Sequence, residues 1–279
     1  MKAIYDVSAP AKLNLFLHIT GRRADGYHLL QSVFMLIDWC DTMHFESRRD
    51  GQISREDLSV TLPPDDLVVR AAKALRAATG SAQGVHISIE KSIPAEAGMG
   101  GGSSDAATTL LALNRLWQLK LPLSSLLKIG LELGADVPFF LQGRNAWVEG
   151  VGENITPIEL PPARFLVVKP PAGLKTARIF QSSELKRDTE TAILAGFAEN
   201  PFGFGRNDLQ IVAQSLCHGV SDGLDWLQAL GLKGRMTGSG SAVFARLESV
   251  PGHLVDASPA GFAARVCDNL QEHPQIGWA

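Results

Sequence analysis

Alternation opens the chain. Over residues 3–19, Leu13, Leu15, Leu17 and Ile19 take every second position with Asn14, Phe16 and His18 between them, which predicts a strand. Gly21-Arg22-Arg23-Ala24-Asp25-Gly26 then predicts a turn, because its glycines supply unusual backbone angles. Apolar runs over 33–39 and 85–93 predict two more strands, the second through Val85, Ile87 and Ile89. Residues 67–78 carry apolar positions at helical spacing and stop near Gly80. Ala106, Ala107, Leu110, Leu111, Leu113 and Trp117 outline a helix that is apolar on a wide face and therefore buried, with Ser103 or Ser104 as a natural N-cap. A further helix is predicted over 124–133, ending at Gly134.

The pattern restarts beyond Gly152. Residues 164–169 read as a strand closed by Pro170-Pro171, and Thr176 caps a short helix holding Phe180. Residues 208–216 and 222–230 read as helices. Residues 236–247 read as a strand pair broken by Thr237-Gly238-Ser239-Gly240-Ser241, and 260–271 as a last helix. Gly150, Gly152, Pro157, Pro161 and Pro162 suggest a boundary between two units, 1–155 and 156–279. Strands and helices intermingle without strict βαβ alternation, so the expected class is α+β.

Composition narrows the function. A chain of 279 residues that is 45% hydrophobic and 20% charged can build two modest cores. A net charge of −3 gives no basic surface for nucleic acid. Cys40, Cys217 and Cys267 stand far apart with no CxxC pair, which argues against a cysteine zinc site or a disulfide framework and fits a reduced, cytoplasmic setting. The first residues lack the charged-then-apolar pattern of a signal peptide. The richest apolar stretch, 29–40, is broken by Gln31, Ser32 and Asp38 and is too short to span a membrane. His18, His44, His86, His218, His253 and His273 show no metal spacing, and the sequence assigns no metal ligands.

The strongest chemical signal is Pro94-Ala95-Glu96-Ala97-Gly98-Met99-Gly100-Gly101-Gly102-Ser103-Ser104, set between a strand and a buried helix. Glycines let the backbone approach a ligand without a Cβ clash, and the free N–H groups and dipole of a helix N-terminus favour phosphate. Ser103 and Ser104 add hydroxyls for phosphate or for a magnesium ion. The alternative is a flexible turn with a serine cap; so dense a cluster directly before a buried helix favours phosphate. The loop lacks the lysine of a P-loop. No acid stands about 20 residues on to bind a ribose, as a dinucleotide site needs.

Three blocks together resemble the GHMP kinase superfamily: Pro10-Ala11-Lys12-Leu13-Asn14-Leu15, the glycine-rich loop, and Thr237-Gly238-Ser239-Gly240. Arg23-Ala24-Asp25-Gly26-Tyr27-His28, Gly134-Ala135-Asp136-Val137-Pro138-Phe139 and Asn207-Asp208-Leu209 narrow the resemblance to its kinases of the non-mevalonate isoprenoid route, which act on a cytidine diphosphate polyol. The resemblance implies a two-domain fold: a ribosomal protein S5 domain 2-like N-terminal domain with a left-handed βαβ unit, and a ferredoxin-like C-terminal domain. ATP and a small-molecule cytidine diphosphate substrate would lie between them. It further implies ATP- and Mg²⁺-dependent phosphoryl transfer to the substrate's 2-hydroxyl.

Individual roles follow from that resemblance. Asp136 resembles the family's catalytic aspartate, which accepts the hydroxyl proton; from the sequence alone it is equally a helix cap. Lys12 resembles the catalytic lysine, with Asp136 as its natural partner; periodicity alone also allows a surface lysine. Such a pair suits an enzyme, since a pure binding module needs no proton acceptor. Asn14, two residues from Lys12 and so on the same strand face, is expected to bond the substrate's polyol. Tyr27 and His28 look like the cytosine-binding pair, with Phe180 across the base. Thr237 and Gly238 are expected on the substrate side, although a plain β-turn fits them as well. Two departures stand out. Asp66 replaces the usual asparagine near the adenine, and Ala95-Glu96-Ala97 replaces a more glycine-rich approach, putting an acid near the triphosphate.

Overall fold

The computed structural model describes residues 2–249, 255 and 257–279. His253 lies outside the described residues.

The chain starts with two long strands, β1 (Ala3–Arg22) and β2 (His28–Arg48), which pair antiparallel around the Gly26 turn. β3 (Ile53–Asp57), α1 (Leu67–Thr79) and β4 (Gly84–Glu90) form a βαβ unit in which β3 and β4 run parallel. After the glycine-rich loop come α2 (Gly101–Leu116), α3 (Leu123–Leu133) and α4 (Val137–Gln142), then the hairpin of β5 (Ala146–Gly150) and β6 (Asn154–Pro157). These strands make a six-stranded sheet in which β2 pairs with β1, β4 and β5.

The rest of the chain builds a second sheet. β7 (Arg164–Lys169) is followed by α5 (Thr176–Phe180), α6 (Leu194–Glu199), α7 (Gln210–Leu216) and α8 (His218–Ala229), then by β8 (Arg235–Met236), β9 (Val243–Leu247) and β10 (Ala263–Asp268). Its order is β10-β7-β9-β8, all antiparallel, so its four strands lie fourth-first-third-second, the ferredoxin-like order that the resemblance implies.

Both long strands are buried on both faces, and each face feeds a different core. From β2, Phe34 and Leu36 join one core with α1, α2, α3 and α4. Val33, Met35 and Ile37 join a second core with Ala11, Leu13 and Leu15 of β1 and with Phe165, Val167 and Phe244 of the second sheet. The alternate residues Leu166 and Val168 pack on α7 and α8 in a third. The second core therefore fastens the two sheets together, and the period of two along each strand decides which residues reach it.

Several expectations are corrected. Residues 260–271 hold an edge strand, β10, rather than a helix. Its alanines suit a helix, but pairing with β7 and the burial of Cys267 outweigh a propensity worth tenths of a kcal/mol per residue. The N-cap of α2 is Gly100, in the left-handed region at φ 72°, so Ser103 and Ser104 fall inside the first turn. Thr176 is the first residue of α5, and its hydroxyl meets Ser239 Oγ at 2.7 Å instead of capping the helix.

Candidate active site

Lys12 and Asn14 lie on the face of β1 opposite Ala11, Leu13 and Leu15. There the Lys12 ammonium sits 4.5 Å from the Phe34 ring centre, 2.5 Å from Asn14 Oδ1 and 3.7 Å from Asp136 Oδ2. Lys12 is 3% exposed. Burial pushes its ammonium below the usual lysine range, and the Asp136 carboxylate pulls it back up. The Asp136 side chain is 32% exposed, so one charge of the pair is enclosed and the other faces an opening.

Asp136 occupies the N-cap position of α4 but makes no capping bond. Its helical backbone angles turn the side chain away from the helix N–H groups, so the carboxylate is spare for Lys12. Val137, Phe139 and Phe140 anchor the helix in the first core. A side chain at Gly100 would press on the Phe140 ring at 3.0 Å and on Lys12 Cγ at 3.3 Å, so α4, β1 and the glycine-rich loop meet at one point. The Lys12 N–H donates to Met99 O at 2.9 Å and fixes the loop against the strand.

The first hydrogen bond of α2 is Ser104 N–H to Gly100 O. The N–H groups of Gly101, Gly102 and Ser103 precede the helical ladder and are available to an anion. Ser104 Oγ is buried and has no partner among the described residues. Upstream, Pro94 is half-buried, and Ala95 and Glu96 are exposed. Glu96 adopts φ 51°, and its carboxylate lies against Gly173.

The Thr237–Ser241 loop lies directly against this one. Ser241 N–H donates to Glu96 O and Ala242 N–H to Ala97 O, each at 3.1 Å. A side chain at Gly98 would run into Thr237 O and Gly240 N. Thr237 Oγ1 accepts from Asn14 N–H at 2.9 Å. Asn14 is 1% exposed; its oxygen accepts from Lys12, and its amide donates to Ser32 Oγ at 2.8 Å. In this structure Asn14 holds Lys12 in place. Asn207 Nδ2 donates to both Met236 O and Gly238 O at 2.8 Å, and Asp208 accepts from Ile19 N–H, so the Asn-Asp-Leu block stitches the C-terminal loop to β1.

A second group of residues lies beyond the β1–β2 turn. Tyr27 is 64% exposed. The His28 and Phe180 rings lean together, their centres 5.0 Å apart and their planes 34° from parallel. Asp66 caps α1 through Val69 N–H and pairs with Arg55 at 2.5 Å, so its charge is answered within the protein.

Sequence reasoning missed three participants. Ser32 supports Asn14; as a polar break in the apolar stretch 29–40 it gave no sign of which residue it meets. Arg187 bonds His28 from a polar loop. Lys91, at the end of a strand pattern, bridges the buried carboxylates of Asp41 and Asp105 beneath the start of α2. Isolated charges inside otherwise apolar strand and helix patterns, such as Asp41 and Asp105, were the available signal for that bridge.

Residues 66–144 match the family model described as GHMP kinases N terminal domain. The chain is 68% identical over 280 residues to the 4-diphosphocytidyl-2-C-methyl-D-erythritol kinase of Albidiferax ferrireducens, covering 100% of this chain and 96% of that one. To the enzyme of the same name from Variovorax paradoxus it is 63% identical over 295 residues, with both chains fully covered. A crystal structure of 4-(cytidine 5'-diphospho)-2C-methyl-D-erythritol kinase superposes with a TM-score of 0.83 at 34% identity, over 95% of this chain and 98% of that one.

Proposed function

The chain belongs to the 4-diphosphocytidyl-2-C-methyl-D-erythritol kinases of the GHMP superfamily and is an ATP-dependent small-molecule kinase of isoprenoid precursor synthesis; from that premise we propose that it transfers the γ-phosphoryl group of ATP to the 2-hydroxyl of 4-diphosphocytidyl-2-C-methyl-D-erythritol. The observation that carries this reading is the Lys12–Asp136 pair, 3.7 Å apart, at the foot of the glycine-rich loop.

Phosphoryl transfer needs a positioned hydroxyl, an acceptor for its proton and positive charge around the moving group. Asp136, the exposed member of the pair, accepts the proton. Lys12, held by Asn14 and Phe34, pairs with Asp136 and offsets charge on the transferring group. The N–H groups of Gly101, Gly102 and Ser103 hold the phosphates, with residues 94–100 shaping the approach. Glycine-rich backbone from Thr237 and Gly238 closes the substrate side. Tyr27 and Phe180 stack on the cytosine, with His28 at its edge; aromatic stacking contributes about 1–3 kcal/mol per base. Residues 1–155 form the ATP-binding unit and 156–279 the substrate-side unit.

The unpartnered, buried Ser104 hydroxyl at the first turn of α2 fits a Mg²⁺ ion carried by the nucleotide. Among the described residues no cluster of three or more acidic, His or Cys side chains is suited to a metal. Mg²⁺ commonly relies on substrate phosphates and few protein ligands. Bound there, it would neutralise phosphate charge.

The test is product analysis with γ-labelled ATP and 4-diphosphocytidyl-2-C-methyl-D-erythritol. The proposal expects one new phosphomonoester, on the 2-position. Label on another hydroxyl, or none, sinks it.

A further inference from the structure

Arg187 joins the two walls of the base pocket. Its Nε–H donates to His28 Nε2 at 2.9 Å. Its other nitrogens hold the chain around Phe180: Nη1 donates to Leu185 O at 2.9 Å, and Nη2 to Phe180 O at 3.2 Å and Ser182 O at 2.7 Å. A guanidinium stays protonated and has donors only. The bond to His28 therefore runs one way, with Nε2 accepting through its lone pair. In a neutral imidazole the proton is then on Nδ1.

The surroundings favour that neutral form. Burial, Arg187 and Arg22 all push His28 below the usual histidine range. Arg22 reaches it from β1 and Arg187 from the segment after α5. In the turn between β1 and β2, Arg23 and Asp25 pair with each other at 2.7 Å. The Phe180 ring, leaning on the imidazole, fixes its plane. His28 Nδ1 has no partner among the described residues.

We propose that Arg187 is a positioning residue that locks His28 as the neutral, Nδ1-protonated imidazole, so that the pocket presents one hydrogen-bond donor to the acceptor edge of a pyrimidine base. The inference rests on the reading of Tyr27, His28 and Phe180 as a base pocket and adds how it selects. Cytosine offers acceptors at O2 and N3. Uracil offers a donor at N3, and a fixed N–H facing it there leaves two donors opposed. A histidine free to change tautomer would accept both bases.

Nitrogen-15 NMR of the ligand-free protein, with His28 assigned by comparison to His28→Gln, tests the lock without any substrate. At pH 8 the wild type is expected to show its neutral imidazole in the Nδ1–H form alone. In Arg187→Met the two tautomers should mix, and the protonation midpoint should rise because a neighbouring cation is gone. In kinetics, Arg187→Met should raise KM for the cytidine diphosphate substrate about tenfold, leave KM for ATP within about twofold, and narrow the preference over the uridine analogue. An Nε2–H or mixed wild-type signal overturns the inference even if the variant does not fold. An Arg187→Met enzyme with wild-type tautomer or wild-type KM overturns it too. If the tautomer behaves as expected but the wild type ignores the cytidine substrate, the base-pocket reading has failed and this inference falls with it.

Discussion

The ammonium of Lys12 lies 3.7 Å from the carboxylate of Asp136, yet the two residues come from a strand and a helix cap more than a hundred positions apart in the chain. Lys12 is enclosed and Asp136 is open, so the pair has a fixed end and a reactive end. Without Asp136, an ammonium this deep would lean on Asn14 and the Phe34 ring alone. That asymmetry suits a site where charge must be held while a proton is taken.

Replacing Lys12 with Met keeps the length and removes the charge. The expected outcome is a fall in kcat of about 100- to 1,000-fold, the size seen when one preorganised charge-stabilising donor is lost, with KM for ATP changed far less. Steady-state kinetics at saturating ATP checks it. The charge also gives the profile a basic limb. Burial lowers the Lys12 value, so kcat should decline with rising pH before the usual lysine range is reached.

Gly98 and Gly102 belong to the same loop and should respond differently to alanine. Gly98 has φ 72°, and a Cβ there would meet the backbone of Thr237 and Gly240. Gly98→Ala should cost about 1–3 kcal/mol, the range for a strained backbone position, and separate the two loops. At Gly102 the nearest atom to a new Cβ is Leu67 Cδ1 at 3.5 Å, an ordinary contact. Gly102→Ala should keep its thermal stability but weaken ATP binding, which thermal melts with and without ATP would separate.

The Lys91 bridge supports the loop from below. Its ammonium pairs with Asp105 at 2.5 Å and with Asp41, whose other oxygen accepts from Ser92 and Ile93 N–H. Lys91→Met leaves the buried Asp41 carboxylate without its cation and should cost about 3–5 kcal/mol. Burial, opposed by Lys91 and reinforced by Asp41, pushes the Asp105 carboxyl up to about 8. A folded value above the unfolded one means that the folded state holds the extra proton. Its stabilising contribution is full below about pH 4 and is lost as pH rises through about 8. Asp105→Asn should remove that slope from stability measured by denaturant titration across pH 4–9.

Much of this was legible in the sequence, and what was not has physical causes. The period of two along β1 set Lys12 and Asn14 on one face, and Gly80 closed α1 where the helical pattern stopped, in the left-handed region at φ 65°. β2 runs 21 residues, from His28 to Arg48, far beyond the apolar run at 33–39. It is buried on both faces over much of its length, so no alternation marks its ends. The hairpin of β5 and β6 was not predicted, because its strands are only five and four residues long and Gly150 and Gly152 drew the eye to the turn between them. The β10 region was misread because helix propensity in an alanine-containing stretch says nothing about a neighbouring strand with open bonds. Asn14's partners were hidden for a different reason: Ser32 and Thr237 reach it only through the tertiary fold.

The central claim is that Asp136 takes the proton of the accepting hydroxyl while the glycine-rich loop holds ATP independently. The most direct measurement is ADP release with 4-diphosphocytidyl-2-C-methyl-D-erythritol by wild type and Asp136→Asn, alongside calorimetric ATP binding. The mechanism predicts turnover by the wild type, a loss of about 100- to 10,000-fold in the variant, and ATP affinity that stays near wild type. A variant that turns over as fast as the wild type, or one that loses ATP binding in step with its activity, would contradict it.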